Sequence, residues 1–331
     1  MVEEFILQWH LSEICNLKCK HCYQEKHKPI QLKYDELLSI LDQYRELLKK
    51  LKVKGHINLT GGEPLCCPYF FKLLDEFKKD KDLYSFSVLT NGTLITKEIA
   101  EKLASYHPEY VQVSLEGGKK INDYVRGEGV YKKVARAIKY LKKNNIFTSI
   151  SFTATKLNYK EFPKVVRYAE KYHVDNVWSD RYIPFGSKYD KDFIMNIEET
   201  QEYLDIMHRE RTRLLEKNSK THVSMYRALQ FLRIGSRGYH CTAGISLLTV
   251  MENGDLVPCR RMPIVVGNVL KENMYHLYKT NKVLKDLQKS EVPTICSKKC
   301  DDSESCRGGL KCLSYALTGS YKNQDPGCNI K

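Results

Sequence analysis

The placement of its twelve cysteines constrains this 331-residue chain more than any other feature. They form three groups: Cys15, Cys19 and Cys22; the adjacent Cys66 and Cys67; and seven between Cys241 and Cys328, with none from Val88 to His240. Cysteine used only as a small core residue would be spread more evenly. The start, Met1-Val2-Glu3-Glu4, has neither the basic residues nor the apolar run of a secretory signal. No stretch approaches the roughly 18 apolar residues of a membrane span. The chain therefore reads as cytoplasmic, where clustered thiols point to metal or catalysis before disulfides.

Between the cysteine groups the chain alternates strand-like and helix-like patterns. Strands are predicted over Phe5–Leu11, His56–Thr60, Tyr84–Thr90, Tyr110–Leu115, Phe147–Thr153 and Asn176–Tyr182. Helical spacing separates them, as in Leu37, Leu41, Tyr44 and Leu48, then Val134, Ala137, Ile138 and Leu141. Alternation of this kind implies an α/β fold with a parallel sheet, here a partial (β/α)6 TIM-like barrel over residues 1–190. Its active site is expected at the C-terminal strand ends. A helical connector is expected over 191–234, with helices at Glu198–Lys220 and His222–Ile234. A small cysteine-rich domain organised by metal as much as by a core follows over 235–331, with a hairpin turning at Asn253-Gly254 and one helix over Met274–Lys289.

The net charge of +14 invites a nucleic-acid reading. The basic residues are spread along predicted helix faces, such as Lys49, Lys50, Lys142 and Lys143, which favours solvated helices. An acidic partner peptide fits the charge equally well.

Cys15-x3-Cys19-x2-Cys22 follows the first predicted strand and can converge on one face of a 4Fe-4S cube, leaving one iron free for chemistry. A zinc or ferredoxin-type site completed by His10, His21 or His27 would use the same triplet. Further segments fall at successive strand ends: Gly61-Gly62-Glu63-Pro64, Thr90-Asn91-Gly92-Thr93, Val113-Ser114-Leu115-Glu116-Gly117 and Arg181-Tyr182-Ile183-Pro184. Each alone is an ordinary turn. In this order they resemble the radical S-adenosylmethionine (SAM) superfamily. The resemblance implies that Cys15, Cys19 and Cys22 hold a cluster whose free iron binds the methionine moiety of SAM. Reductive cleavage of SAM would then release a 5′-deoxyadenosyl radical that abstracts a substrate hydrogen. It further implies that Gly61, Gly62 and Glu63 receive the SAM ammonium, that Asn91 belongs to the cofactor-binding loop, and that Ser114 and Arg126 hold the carboxylate. Glu116 stands where the family more often has Asp.

The C-terminal cysteines resemble the seven-cysteine SPASM domain of the family's peptide-modifying branch, although the spacings Cys296-x3-Cys300 and Cys306-x5-Cys312 depart from the usual ones. The resemblance implies two auxiliary 4Fe-4S clusters, three in all. Cys296, Cys300, Cys306 and Cys328 would ligate the outer one, and Cys241, Cys259 and Cys312 the inner one. Seven thiolates leave the inner cluster one short, so an iron is open or takes another ligand such as His240, unless Cys66 or Cys67 closes it. Those two are otherwise an inert pair beside Pro68 or a hydrogen-atom donor.

The expected function is modification of a ribosomally made peptide or protein through hydrogen abstraction, giving a cross-link, thioether or epimer. A flavodoxin or ferredoxin would supply electrons. Cys15 lies too near the start for a preceding leader-binding domain, so leader recognition is expected to fall to the SPASM-like region, to a separate leader-peptide-binding protein, or to nothing at all. The alternatives are a sulfatase-type maturase, a small-molecule radical dehydrogenase and, more remotely, a zinc-binding nucleic-acid protein.

Overall fold

The computed structural model describes residues 4–24, 29–185, 191–235, 238–289 and 291–329. Six parallel strands pair in chain order: β1 (Glu4–His10), β2 (Lys54–Thr60), β3 (Tyr84–Thr90), β4 (Val111–Ser114), β5 (Thr148–Ala154) and β6 (Asn176–Arg181). The helices between them are α1 (Tyr34–Leu51), α2 (Phe70–Phe77), α3 (Lys97–Ala104), α4 (Lys119–Arg126), α5 (Val130–Lys143) and α6 (Phe162–Lys171); α7 (Ile197–Glu216) follows β6. Strand residues alternate between two faces. Phe5, Leu7 and Trp9, Ile57 and Leu59, and Ile150 and Phe152 join Leu37 and Leu41 of α1 and Ala137 and Leu141 of α5 in one core. The opposite face carries Gln8, Asn58, Gln112, Ser114, Ser151 and Asn176. A closed barrel fills its interior with branched apolar side chains; this polar inner face bounds a cavity instead.

The sheet extends beyond six strands at both edges. The segment expected as a helix over His222–Ile234 holds β7 (His222–Val223), parallel to β6, and only one helical turn, α8 (Phe231–Ile234). Backbone bonds from His222 N to Asp175 O (2.9 Å) and Ser224 N to Val177 O (3.0 Å) hold it extended against the sheet. At the other edge β8 (Leu247–Val250) runs parallel to β1, with Ile6 opposite Leu247 and Trp9 opposite Val250. It turns at Asn253-Gly254, where Gly254 has φ +83°, into antiparallel β9 (Asp255–Val257), and β10 (Gly267–Asn268) completes the order. One sheet therefore crosses the expected boundaries near 190 and 235.

The helix expected over Met274–Lys289 is two, α9 (Met274–Thr280) and α10 (Lys282–Lys289). Asn281 between them is extended, and its side chain accepts from Val283 N (2.9 Å) and Leu284 N (3.3 Å), starting a new helix. Three short helices, α11 (Thr294–Lys299), α12 (Ser303–Cys306) and α13 (Lys311–Thr318), carry most of the last cysteines. No described helix is long and apolar enough to cross a membrane.

Candidate active site and cysteine clusters

The parallel strands end on one rim, and their loops border a cavity of about 670 Å³. The loop after β1 brings Cys15, Cys19 and Cys22 to its wall. The loop after β2 is pressed against this cysteine loop: Gly62 N donates to Ser12 O (2.7 Å) and Glu63 N to Ile14 O (2.9 Å). A Cβ at Gly61 would stand 2.5 Å from the Ser12 carbonyl oxygen, and one at Gly62 2.5 Å from those of Glu13 and Ile14. Only glycine permits this approach, so these residues serve the fit between two loops as well as access to the cavity.

Glu63 is fully buried behind the wall. Its Oε1 accepts from the Thr90 hydroxyl (2.6 Å) and Leu65 N (3.3 Å), and its Oε2 from Asn91 N (2.8 Å). Burial pushes the carboxyl up to about 7 despite these donors. Expected to face an ammonium group, the carboxylate is instead turned to donors of its own fold, tying the end of β2 to the loop after β3. Asn91 in that loop donates to Asn16 Oδ1 (2.9 Å) and aims its amide at Cys15 Sγ (3.8 Å); Asn16 donates to the Thr93 hydroxyl (2.8 Å).

Ser114 lines the cavity, its hydroxyl 3.5 Å from Thr90 O. Arg126, at the end of α4, gives Nε and Nη2 to Glu116 Oε1 (3.2 and 2.5 Å), and its Nη1 lies 3.8 Å from Cys19 Sγ. Glu116 also meets His21 Nε2 (3.2 Å) and accepts from Thr153 N (2.8 Å). Burial alone would raise its carboxyl, but Arg126 and His21 hold it down at about 2. Glu116 and His21 thus join the site as a charged bridge from the cysteine loop to α4. Sequence reasoning saw His21 only as a spare ligand and Glu116 only as a substitution within a motif. The available signal was an acidic strand end ten residues before an arginine.

The seven C-terminal cysteines separate in space. Cys241, Cys259 and Cys312 border the same cavity as the first triplet, whereas Cys296, Cys300, Cys306 and Cys328 ring a second, small one beside Asp325. His240 is exposed and does not border the cavity, although Tyr239 does. Cys67 is buried in the core and Cys66 is half-buried near Glu63; neither borders either cavity, so the closure of the inner site by this pair is not what the fold sets up. His27 lies outside the described residues. Arg181, which opens the last of the strand-end segments, gives Nη1 and Nη2 to a buried two-point bridge with Asp325 (2.7 and 2.6 Å). Tyr182 and Ile183 beside it line the cavity.

Residues 9–169 match the family profile described as the radical SAM superfamily. This stretch is a radical SAM domain. Along nearly its full length this radical SAM enzyme is 26% identical to the AdoMet-dependent heme synthase of Methanosarcina barkeri, over 98% of this chain and 95% of that protein. It is 28% identical to the mycofactocin maturase MftC of Mycolicibacterium smegmatis, over 97% of this chain and 82% of that protein. The fold is that of native anSMEcpe with bound AdoMet, with a TM-score of 0.81 at 23% identity, covering 98% of this chain and 94% of that one.

A radical SAM domain implies a 4Fe-4S cluster and SAM, and the first triplet fits such a cluster. Backbone N–H groups of Leu17 and Gln24 donate to Cys15 Sγ and Cys22 Sγ at 3.4 Å, with Asn91 and Arg126 aimed at Cys15 and Cys19. Burial raises the Cys15 thiol to about 11, and coordination to iron would remove that proton, as a bound metal does for a thiol. Among the described residues no three His, Cys, Asp or Glu side chains converge on a single ion. Thiolates on a cube each take a different iron and so stand further apart.

Proposed function

We propose that this radical SAM enzyme modifies a ribosomally made peptide or protein, with Cys15, Cys19 and Cys22 holding the SAM-binding cluster. Auxiliary clusters are assigned to Cys241, Cys259 and Cys312, and to Cys296, Cys300, Cys306 and Cys328. One observation carries the reading: a single cavity of about 670 Å³ is bordered by the first triplet and by the three cysteines of the inner set. A substrate held there would lie between the two. When bound, the cluster and SAM supply a 5′-deoxyadenosyl radical. The chain's own part is to bind and orient. Arg126, backed by Glu116, and Ser114 are assigned to the methionine carboxylate, with Gly61, Gly62 and Asn91 shaping the rest of that pocket. Flavodoxin or ferredoxin is the assigned reductant. With His240 exposed, the fourth ligand of the inner cluster is assigned to solvent or substrate.

The maturase relative supports a peptide substrate. A second reading, a small polycarboxylic substrate such as a tetrapyrrole, is favoured by the match to heme synthase over 95% of that relative's length and by the arginines in the cavity wall.

Three cubes predict about twelve irons per chain after anaerobic reconstitution. The combined Cys15→Ala, Cys19→Ala and Cys22→Ala variant is expected to lose about a third of that iron and all SAM cleavage. Cleavage that persists in the variant overturns the assignment. Co-expression with short peptides encoded beside the gene, followed by mass spectrometry, separates the peptide reading from the small-molecule one.

A further inference from the structure

Five arginines border the cavity, Arg126, Arg181, Arg227, Arg260 and Arg261, and among the described residues no Asp or Glu does. Their counter-charges lie behind the wall: Glu116, Asp180 and Asp325 are almost completely buried. Arg126 is paired with Glu116 and turns its remaining Nη1 toward Cys19, on the SAM side of the cavity, while both Nη atoms of Arg181 are taken by Asp325. Arg227 and Arg261 are different because they share one carboxylate. Arg227 Nε (3.0 Å) and Arg261 Nη1 (2.7 Å) both bond Asp180 Oδ2, while Asp180 Oδ1 accepts from the Arg181 backbone (2.9 Å). Each guanidinium thus spends one nitrogen and keeps the others.

Both side chains stay about 30% exposed, at the cavity wall. Trp178 lies beside them, its ring centre 5.7 Å from the Arg227 guanidinium and 5.1 Å from that of Arg261, fixing their planes. Arg260, in the same wall, is 8% exposed, and among the described residues its Nε has no hydrogen-bond partner and no carboxylate lies within ion-pair distance. It stacks on Tyr23. Holding two guanidinium groups on one carboxylate leaves a positive charge only partly hydrated, which is unfavourable unless a second anion completes the set.

We propose that Arg227 and Arg261, set by Asp180 and Trp178, form a substrate subsite for a carboxylate, with Arg260 supplying further positive charge in the same cavity. This rests on the reading of the cavity as the substrate site and names the class of substrate it takes: one bearing a carboxylate, from an acidic side chain or a chain terminus. A planar fork with free N–H groups suits a carboxylate in two-point contact. The competing role is compensation of thiolate charge, since Arg261 follows Cys259 closely and its backbone N–H donates to Cys259 Sγ (3.4 Å). The guanidinium, however, is turned to Asp180.

Anaerobic calorimetry on the SAM-loaded holoenzyme tests this with three probes: acetyl-trialanine with a free carboxylate, its C-terminal amide, and that amide with the central alanine replaced by glutamate. At least one acid probe is expected to bind about tenfold or more tightly than the neutral amide, as for a charge-assisted contact. Which acid does so distinguishes terminus from side chain. In the double variant Arg227→Gln, Arg261→Gln the preference should shrink to about twofold or less with iron content retained. In Asp180→Asn, which removes the competing carboxylate, it should grow; this serves also where the double variant fails to hold iron. Equal binding of acid and amide by the native holoenzyme overturns the proposal. So does a preference that survives the double variant while the cluster reduction potential shifts, which would assign the arginines to the cluster. An acid preference without any peptide modification keeps the subsite and removes the peptide reading; peptide modification without the preference does the reverse.

Discussion

Glu116 gathers His21 from the cysteine loop, Arg126 from α4 and the Thr153 amide from β5 around a carboxylate shut off from solvent. Arg126 is thereby held with Nη1 toward Cys19 before any ligand arrives, so little side-chain freedom is lost when it takes an anion. Arg126→Ala is expected to weaken SAM binding by about 1.5–3 kcal/mol, the worth of a charged hydrogen bond. Arg126→Lys should not restore it, because Nε and Nη2 both serve Glu116 and lysine has no fork. Calorimetry under anaerobic conditions reads both, and unchanged affinity in the alanine variant would place the carboxylate elsewhere. The chemistry-bearing character of Arg126 was legible in its motif. Its partner was not, since a spacing of ten residues does not say that strand and helix ends meet.

Among the elements, the loops after β1, β2 and β3 behave as one body, joined by Gly62 N to Ser12 O, Glu63 to Thr90 and Asn91, and Asn91 to Asn16. Their conformations depend on backbone contact that leaves no room for a methyl group at Gly62, which would meet two backbone carbonyls at 2.5 Å. Gly62→Ala should therefore push out the cysteine loop and cost the first cluster, about a third of total iron, while the C-terminal iron stays. Iron analysis with SAM-cleavage assay checks this; full iron in the variant would mean that the loop shifts freely. The glycines were readable as points of close approach, but what approaches is another loop of the same chain.

At the scale of the molecule, the C-terminal cysteine region is attached through the edge of the sheet and through the Arg181–Asp325 bridge. Asp325 also holds Leu310 N (2.9 Å) and Gly327 N (2.9 Å) beside the outer four cysteines. The helices α11 to α13 are short and, among the described residues of 291–329, only the partly buried Cys306 and Cys328 pack against the main core, so metal is expected to contribute much of the order there. Removing iron with a chelator should open residues 291–329 to trypsin before residues 54–181. Mass spectrometry of the early fragments is the measurement, and first cleavage within the sheet would contradict the expectation.

The alternation of strand and helix over the first six units, and the first cysteine triplet with its strand-end companions, were determined by the sequence itself, because each depends on residues a few positions apart, where period and loop length limit the geometry. The extended path at His222–Val223 and the break at Asn281 escaped because one needed a partner strand and the other a side-chain cap. Only the tertiary structure decided that β8 pairs with β1, that the inner three of the late cysteines share a cavity with the first three, and that Arg181 meets Asp325 across 144 positions. Those pairings are set by the order in which a sheet brings distant segments together. Apolar burial drives that order without naming the polar partners it will bring into contact.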